Sequence, residues 1–328
     1  MIYFTVFSLF IWILSNEGGS GMPAHAATLF KSRKNIGNEK SANDLVISEI
    51  YDPSTDQWTT SGSMKRFRLF HTATLLNSGN VLVCGSGGYT GYTATCELYD
   101  VATGEWRNVA NMLTPRGFHT ATLLKSGQVL VTGGSTYDID GSLATCEMYD
   151  PLTDKWTYTA NMTGGRSEHT ATLLNSGKVL ITTKYSGTTE IYDPSTDQWD
   201  TVGSMVTPRS RHTSILLKSG RVLATGGVGD TDFLASCELY DPTTTKWETI
   251  TSMTEERSSH TTTMLKSGKI LATGGYGYTG FLDSSEIYDP STGKWMSSGK
   301  LSAPRSSHTA TMLNSGKILI TGGEKQGN

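Results

Sequence analysis

The amino-acid sequence predicts an all-β protein made of one module that is repeated along the chain. Six of the seven histidines open a variant of the phrase H-T-A-T-L-L, and they lie 43 to 50 residues apart. Six of the seven tryptophans recur at the same spacings. The sequence has no heptads and no long amphipathic helical stretch. A period of this length indicates a repeat architecture, in which each module packs against its neighbours.

The copy that starts at Arg257 shows what each module contains. Its runs of Thr and apolar residues predict four strands, at 260–265, 269–273, 285–288 and 294–298. Lys266-Ser267-Gly268 is a short hairpin loop in which the glycine takes a positive φ. A loop of variable length follows the doublet Gly274-Gly275, and Asp289-Pro290 begins a turn before the last strand. The module is therefore a four-stranded antiparallel meander.

Three features that recur in phase resemble the kelch repeat: a Gly-Gly doublet, a Tyr-Asp pair, and a Trp that follows the pair. The doublets are Gly133-Gly134, Gly226-Gly227, Gly274-Gly275 and Gly322-Gly323, and the pairs start at Tyr51, Tyr99, Tyr149, Tyr192, Tyr240 and Tyr288. The resemblance spans residues 45 to 323 and implies a six-bladed β-propeller of four-stranded antiparallel kelch blades. Two copies depart from it, with Gly85-Ser86 and Thr183-Lys184 in place of the doublet. The latter copy is expected to distort the end of its second strand.

The order of the half-modules predicts how the ring closes. The repeats begin with a third-and-fourth-strand pair at 45–60 and end with a first-and-second-strand pair at 305–321. Pairing of these N- and C-terminal strands would complete a sixth blade, as the kelch resemblance implies, and would remove exposed sheet edges. A seven-bladed ring would need a further strand pair after Thr321. We therefore divide the chain into a signal-peptide-like or anchor segment (1–22), a degenerate partial repeat or linker (23–44) and a six-bladed propeller (45–328).

Residues 1–15, MIYFTVFSLFIWILS, are apolar and uncharged, which is typical of the core of a secretory signal. The run is shorter than the roughly 20 residues of a spanning helix. No Lys or Arg precedes it, so an uncleaved anchor and a misassigned start stay open beside a cleaved signal. We expect the protein to be monomeric and either extracellular or membrane-anchored. Its formal net charge of −3 argues against nucleic acid as a partner.

Six arginines are the first candidates for partner binding. Each lies three residues before a repeat histidine, where one blade connects to the next: Arg68, Arg116, Arg166, Arg209, Arg257 and Arg305. In kelch propellers this connection lies near the mouth of the central channel, where a ring of guanidinium groups would bind carboxylates in bidentate pairs. The alternative is a structural role, in which each arginine pairs with a repeated acid such as Glu97, Glu147, Glu190, Glu238 or Glu286.

Aromatic residues in the loop after the doublet vary between copies and are the second set of candidates. They are Tyr89, Tyr92, Tyr137, Tyr185, Phe233, Tyr276, Tyr278 and Phe281. The alternative is that some of them fold back over the edge of their blade. Of these, Tyr89, Tyr137, Phe233, Tyr276 and Tyr278 are the binding residues that we expect.

The histidines and cysteines are expected to be structural. One histidine per blade cannot converge on a single ion, so we expect each imidazole to bind a neighbouring blade, and no metal site. The stretch 138–141 lacks the ligand spacing of a calcium loop. Cys96, Cys146 and Cys237 share one strand position and are expected to be buried. Cys84 lies across the variable loop from Cys96, and the two would form a disulfide only if the chain is secreted.

These features together predict a non-catalytic propeller that binds a protein or a glycan with one ring face and needs no cofactor. Two alternatives stay open. Galactose-oxidase-like copper enzymes also carry kelch propellers, but they need two tyrosines and two histidines that converge on copper. Intracellular kelch adaptors need a recruiting domain, and about 44 residues precede the propeller here. The fold alone does not decide among these functions.

Overall fold

A computed structural model describes residues 10–15, 25–30, 48–86, 91–137, 142–183 and 188–325, with 10–15 and 25–30 described as backbone strands only. The described residues contain strands and turns and no helix. Tyr89, Tyr185, Lys184 and the stretch 138–141 lie outside them, as does most of the segment before residue 48. The predictions made for those residues fall outside the described part of the chain.

The strands of the first four sheets are β1 (Phe10–Ser15), β2 (His25–Phe30), β3 (Ser48–Asp52), β4 (Gln57–Thr60), β5 (Thr72–Leu75), β6 (Val81–Ser86), β7 (Thr93–Asp100), β8 (Glu105–Val109), β9 (Thr120–Leu123), β10 (Val129–Thr132), β11 (Cys146–Asp150), β12 (Lys155–Tyr158), β13 (Thr170–Leu173), β14 (Val179–Thr182), β15 (Thr189–Asp193) and β16 (Gln198–Val202). The remaining strands are β17 (Thr213–Leu216), β18 (Val222–Thr225), β19 (Cys237–Asp241), β20 (Lys246–Ile250), β21 (Thr261–Met264), β22 (Ile270–Thr273), β23 (Tyr276–Gly277), β24 (Gly280–Phe281), β25 (Ser285–Asp289), β26 (Lys294–Ser297), β27 (Thr309–Met312) and β28 (Ile318–Thr321).

Each module folds as the predicted four-stranded antiparallel meander. In one sheet the order is β9-β10-β11-β12, with Leu123 opposite Val129 and Tyr149 opposite Trp156. The second and third strands are buried along most of their length, whereas Trp156 is the one buried residue of the fourth strand. This gradient follows from the packing of sheet against sheet, which covers both faces of the middle strands.

The core lies between consecutive sheets. Leu82 and Cys96 of one sheet pack with Val129, Val131 and Trp156 of the next. The first strands lie side by side, since β5 contacts β9, β9 contacts β13, and the series continues through β17 and β21 to β27. The first strands therefore line the inside of the array, and the fourth strands lie outside. This arrangement confirms the all-β propeller class.

The repeated Trp and Tyr tie neighbouring sheets together. Trp156 Nε1 donates to the Ala110 carbonyl oxygen at 2.9 Å, across to the preceding sheet. Its ring packs against Tyr149, with 5.0 Å between ring centroids. Trp106 and Trp199 make the corresponding hydrogen bond to the preceding sheet, so the repeated Trp serves the contact between neighbouring modules.

The closure that the half-module count predicted is not found among the described residues. Strand β3 pairs instead with β2, through Ala27 opposite Tyr51 to Phe30 opposite Ser48. Strands β27 and β28 form a two-stranded sheet of their own, and β27 lies next to β1. The physical reason is that the degraded copy HAATLF keeps a strand-forming sequence, so it gives β3 a partner, and the apolar run Phe10–Ser15 adds the next strand.

The described residues thus form six four-stranded sheets, the two-stranded sheet β27-β28 and a short hairpin, β23-β24. Strand β1 falls inside the segment that we predicted to be a signal peptide or an anchor. No helix within the described ranges has the length and apolar character that a membrane crossing requires. Cleavage and anchoring stay predictions.

The cysteines occupy the positions expected of them. Cys84 and Cys96 lie opposite each other on β6 and β7 and form a disulfide. Cys146 and Cys237 are free and buried. Burial raises the pKa of each of these two thiols to about 12, so neither is a reactive thiolate at neutral pH.

Candidate functional site

The two ends of each sheet differ in what they carry. The loop end, where Thr120 faces Thr132, carries the loop between the second and third strands and the connection from the preceding blade. The hairpin end, where Leu123 faces Val129, carries the turn between the first and second strands and the turn between the third and fourth. The sequence-predicted binding residues that the structure describes lie at the loop end or beside it.

Five of the six candidate arginines are completely or almost completely buried. Arg116 is typical: Nη2 binds Glu147 Oε1 at 2.7 Å, and Nη1 donates to the carbonyl oxygens of Gly133 and Thr145. Arg68, Arg209 and Arg257 bind Glu97, Glu238 and Glu286 at 2.7 to 3.0 Å, and Arg166 binds Glu190. These contacts correspond to the structural alternative that the sequence left open.

The arginines therefore do not form a ring of exposed guanidinium groups. The exposed fraction of Arg68, Arg116, Arg166, Arg209 and Arg257 is 0 to 1%, so no partner carboxylate can reach them. Arg305 is half-buried and donates to the carbonyl oxygens of Gly322 and Ala303. We correct the expectation accordingly for the five buried arginines, which leave the candidate surface, whereas Arg305 stays a candidate. The reason is local, because the third strand of each of these five blades supplies a glutamate within reach.

The repeat histidines lie between blades, as expected. His169 Nε2 is 3.0 Å from Thr120 Oγ1 and 2.9 Å from Thr132 Oγ1, both in the preceding blade. His119, His212, His260 and His308 make the corresponding contact to threonines. Burial, and secondarily the charge of nearby arginines, lowers the pKa of His169 to about 3, so the ring is neutral at physiological pH.

A different repeat position faces the inside of the loop end. The residue directly before each repeat histidine has a φ between 50° and 55°, in the left-handed region that side chains rarely adopt. These rim residues are Phe70, Phe118, Glu168, Arg211, Ser259 and Ser307. Backbone hydrogen bonds link several neighbouring rim residues: Phe118 N donates to Phe70 O at 2.9 Å, and Ser307 N donates to Ser259 O at 2.8 Å. The backbone is thus held the same way in each copy while the side chain varies.

The rim residues surround a cavity of about 360 Å³. On one side Phe70 and Phe118 stack, with 3.8 Å between ring centroids. On the other side Arg211 donates two hydrogen bonds to the Glu168 carboxylate, at 2.8 and 3.0 Å. Apolar walls with a few polar groups at fixed positions are what ligand-binding cavities offer, and this volume lies within their usual range.

Two predicted aromatic residues reach this cavity. Phe233 and Tyr276 belong to its lining, and their rings lie 5.7 Å apart, edge to face. Tyr278 packs on Phe233 at 5.3 Å, and its hydroxyl donates to Asp232 Oδ1 at 2.6 Å. Phe281 packs on Tyr276. The four rings form an aromatic cluster that joins the loops of two adjacent blades.

Tyr137 lies in a separate pair of loops. Its ring meets Tyr92 edge to face at 5.4 Å, and its hydroxyl donates to the Tyr92 carbonyl oxygen at 3.2 Å. Tyr137 is nevertheless 66% exposed. It remains a candidate at the loop end, although it does not line the cavity.

The sequence reasoning did not single out the rim residues. Their signal was present, because the position before the invariant histidine reads Phe, Phe, Glu, Arg, Ser, Ser from copy to copy. A position that varies inside an otherwise constant frame is a candidate for specificity. What the sequence alone does not show is the left-handed backbone that turns these six side chains towards the cavity.

The fold and the rim define a repeat protein of the propeller class with a cavity at one end. The model of the Kelch motif matches residues 86–113, 117–163, 209–254 and 258–302, which together make up just over half of the chain. The chain therefore belongs to the kelch-repeat family. No curated protein matches it at the level of sequence.

Two solved structures share the fold. The first is described as a novel fungal alcohol oxidase with catalytic diversity among the AA5 family, in complex with copper. It is 18% identical with a TM-score of 0.74, and the match covers 96% of this chain and 71% of that one. The second is described as the structure of YjhT. It is 17% identical with a TM-score of 0.63, covering 79% of this chain and 91% of that one. At these identities the likeness concerns the fold alone.

The histidines of the described residues are not placed to converge on a metal ion. Within the described ranges, no three His, Cys, Asp or Glu side chains are grouped to hold an ion. The histidines that would serve as ligands are buried between sheets against threonines.

Proposed function

We propose that this chain is a non-catalytic binding propeller, which recognises a protein or a glycan with its loop end. The observation that carries the proposal is the rim: six residues at one repeat position share a backbone conformation and differ in side chain. They enclose a cavity with aromatic rings on one side and an ion pair on the other. Side chains that vary on a constant frame are how repeat proteins adapt a surface to a partner.

The Glu168–Arg211 pair suits recognition better than chemistry. The Glu168 carboxylate and the Arg211 guanidinium are the groups that would polarise a substrate. They are already bound to each other, at 2.8 Å. A partner with hydroxyl or amide groups can add hydrogen bonds to the outer edge of this pair, while its apolar part packs on Phe70 and Phe118.

We also propose that the protein acts outside the cell or on its surface, as a monomer. The Cys84–Cys96 disulfide supports this location, because such bonds persist in oxidising compartments. The apolar N-terminal run supports export or anchoring. An intracellular adaptor would leave this disulfide without an oxidising environment.

The proposal is tested by affinity capture from an extracellular extract and by binding to a glycan array. The purified chain is compared with Phe118→Ala/Phe233→Ala, which opens the cavity wall, and with Met296→Ala, a control on the exposed outer strand β26. A partner that binds the chain and the control but not the cavity variant supports the proposal. A partner that all three bind equally, or no partner in either assay, would overturn it.

A further inference from the structure

The hairpin end carries an unusual charge distribution. Its inner turns, between first and second strands, lie at 76–80, 124–128, 174–178, 217–221, 265–269 and 313–317. These turns contain no Asp or Glu and seven cationic residues: Lys125, Lys178, Lys218, Arg221, Lys266, Lys269 and Lys317. The outer turns, between third and fourth strands, begin with the aspartates of the Tyr-Asp pairs. Positive charge is thus concentrated at the centre of this end, with acids around it.

Three of the cations pair with those acids. Lys178 binds Asp193 and Lys269 binds Asp289, each at 2.9 Å, and Arg221 lies 3.7 Å from Asp241. Lys125, Lys218 and Lys266 differ from them. They occupy the second position of their turns, are exposed, and form no ion pair with the described carboxylates. Their charge is therefore not compensated locally.

These three ammonium groups are held in place by the neighbouring turns. Lys125 Nζ donates to the Asn175 carbonyl oxygen, Lys266 Nζ to that of Asn314, and Lys218 Nζ to that of Lys266 at 3.4 Å. The stem of Lys218 covers Gly268, so the side chain lies along the ring. An ammonium group has three donors, and one is used here. The remaining donors are available to a ligand.

We propose that the centre of the hairpin end is a second binding site, for a compact ligand that carries several phosphate or sulfate groups. Lys218 and Lys266 lie in consecutive turns, and their fixed position reduces the entropy that binding would cost. The surrounding aspartates repel a long polyanion that extends across the face, which favours a ligand small enough to stay inside them. This site goes beyond the proposed function and lies at the opposite end of the sheets from the cavity.

The test uses myo-inositol hexakisphosphate and sucrose octasulfate as probes in calorimetric titrations at low salt. Inorganic phosphate, which has a single phosphate group, is the comparison ligand. The variant is Lys218→Asn/Lys266→Asn, since asparagine is the residue that the chain itself has at Asn77, Asn175 and Asn314. The control is Lys246→Asn, which removes an exposed lysine from the start of the outer strand β20, at the same end of its sheet. Phe118→Ala/Phe233→Ala reports separately on the cavity.

We expect at least one of the two polyanions to bind more tightly than inorganic phosphate, and to weaken when salt is added. The double asparagine variant should bind it about tenfold more weakly, and the lysine control and the cavity variant should bind it like the original chain. The difference between the two probes identifies phosphate or sulfate as the preferred group. Failure of the original chain to bind either probe, or equal binding by the double variant, would overturn this site and leave the cavity proposal untouched.

Discussion

Arg116 Nη2 lies 2.7 Å from Glu147 Oε1, and neither side chain has exposed surface. The same carboxylate accepts hydrogen bonds from the backbone N–H groups of Leu113 and Thr114, which enter this blade from the preceding one. Glu147 thus joins the connection, the arginine and the third strand. Four other copies repeat the pair, which explains why these residues recur without variation.

Removing only one partner of this pair should be costly. Glu147→Leu leaves the Arg116 guanidinium buried without its counter-charge, and we expect it to lower the free energy of unfolding by about 3–5 kcal/mol. Arg116→Met/Glu147→Leu should recover part of that loss, since no unpaired charge remains. Urea-induced unfolding measures both. As a control, Glu168→Leu/Arg211→Met removes a pair that is 28% and 41% exposed, and should cost less than about 1 kcal/mol. Equal effects at the two pairs would contradict this assignment.

The buried histidines should make stability dependent on pH. The pKa of His169 is lowered by burial from 6.5 to about 3. The unfolded chain therefore binds one more proton than the folded chain between these values, and the free energy of unfolding falls as pH drops from 6.5 towards 3. Each such histidine contributes up to about 1.4 kcal/mol per pH unit in that range.

Urea-induced unfolding at a series of pH values checks this expectation. For the variant His169→Gln, the free energy of unfolding should depend less steeply on pH. The difference should correspond to about one proton fewer taken up on unfolding, whatever the variant's stability at neutral pH. Folded-state titration of the histidine resonances by nuclear magnetic resonance is an independent check. A His169 resonance that titrates near pH 6.5 in the folded protein would contradict a buried, neutral ring.

The number of the four cysteines that react with a thiol reagent should differ among three conditions. In the folded protein a thiol reagent should label none of them, because Cys146 and Cys237 are buried and Cys84 is bonded to Cys96. Denaturation without a reductant should expose two thiols, and denaturation after reduction should expose four. Mass spectrometry of the alkylated chain counts them. Four reactive thiols without a reductant would show that the disulfide is not formed.

The rim should tolerate glycine better than a β-branched residue. Ser259 has a φ of 50°, a conformation that costs most residues roughly 1 kcal/mol and glycine little. Ser259→Gly should keep or raise stability by up to about 1 kcal/mol, whereas Ser259→Val should lower it by about 1 kcal/mol or more. Thermal unfolding ranks the stabilities of the original chain and the two variants. A valine variant as stable as the glycine variant would contradict a left-handed backbone at this position.

The sequence predicted the modules because each is determined by local patterns. The run Val129–Thr132 and the turn before Trp156 specify strands and a turn without information from distant residues. The buried cysteines and the placement of the histidines between blades followed from their shared repeat positions. These inferences depend on in-phase recurrence, which one sequence is enough to reveal.

The closure and the rim could not be predicted in the same way. The partner of β3 depends on a competition between the degraded copy at His25–Phe30 and the C-terminal strands, and both have strand-forming sequences. The pairing of Arg116 with Glu147 was one of two alternatives that the sequence left open, and the position of Glu147, 31 residues away in the chain, decides between them. The rim residues lie next to the histidines in sequence, but a φ near 50° decides where they point.

The central claim, that a partner binds the loop end, is tested most directly by hydroxyl-radical footprinting of the complex with a captured partner. We expect protection of Phe118, Phe233 and Tyr276 at the cavity, with unchanged reactivity of Met296 on the outer strand. Protection confined to the outer strands, with Phe118 and Phe233 as reactive as in the free chain, would contradict the claim.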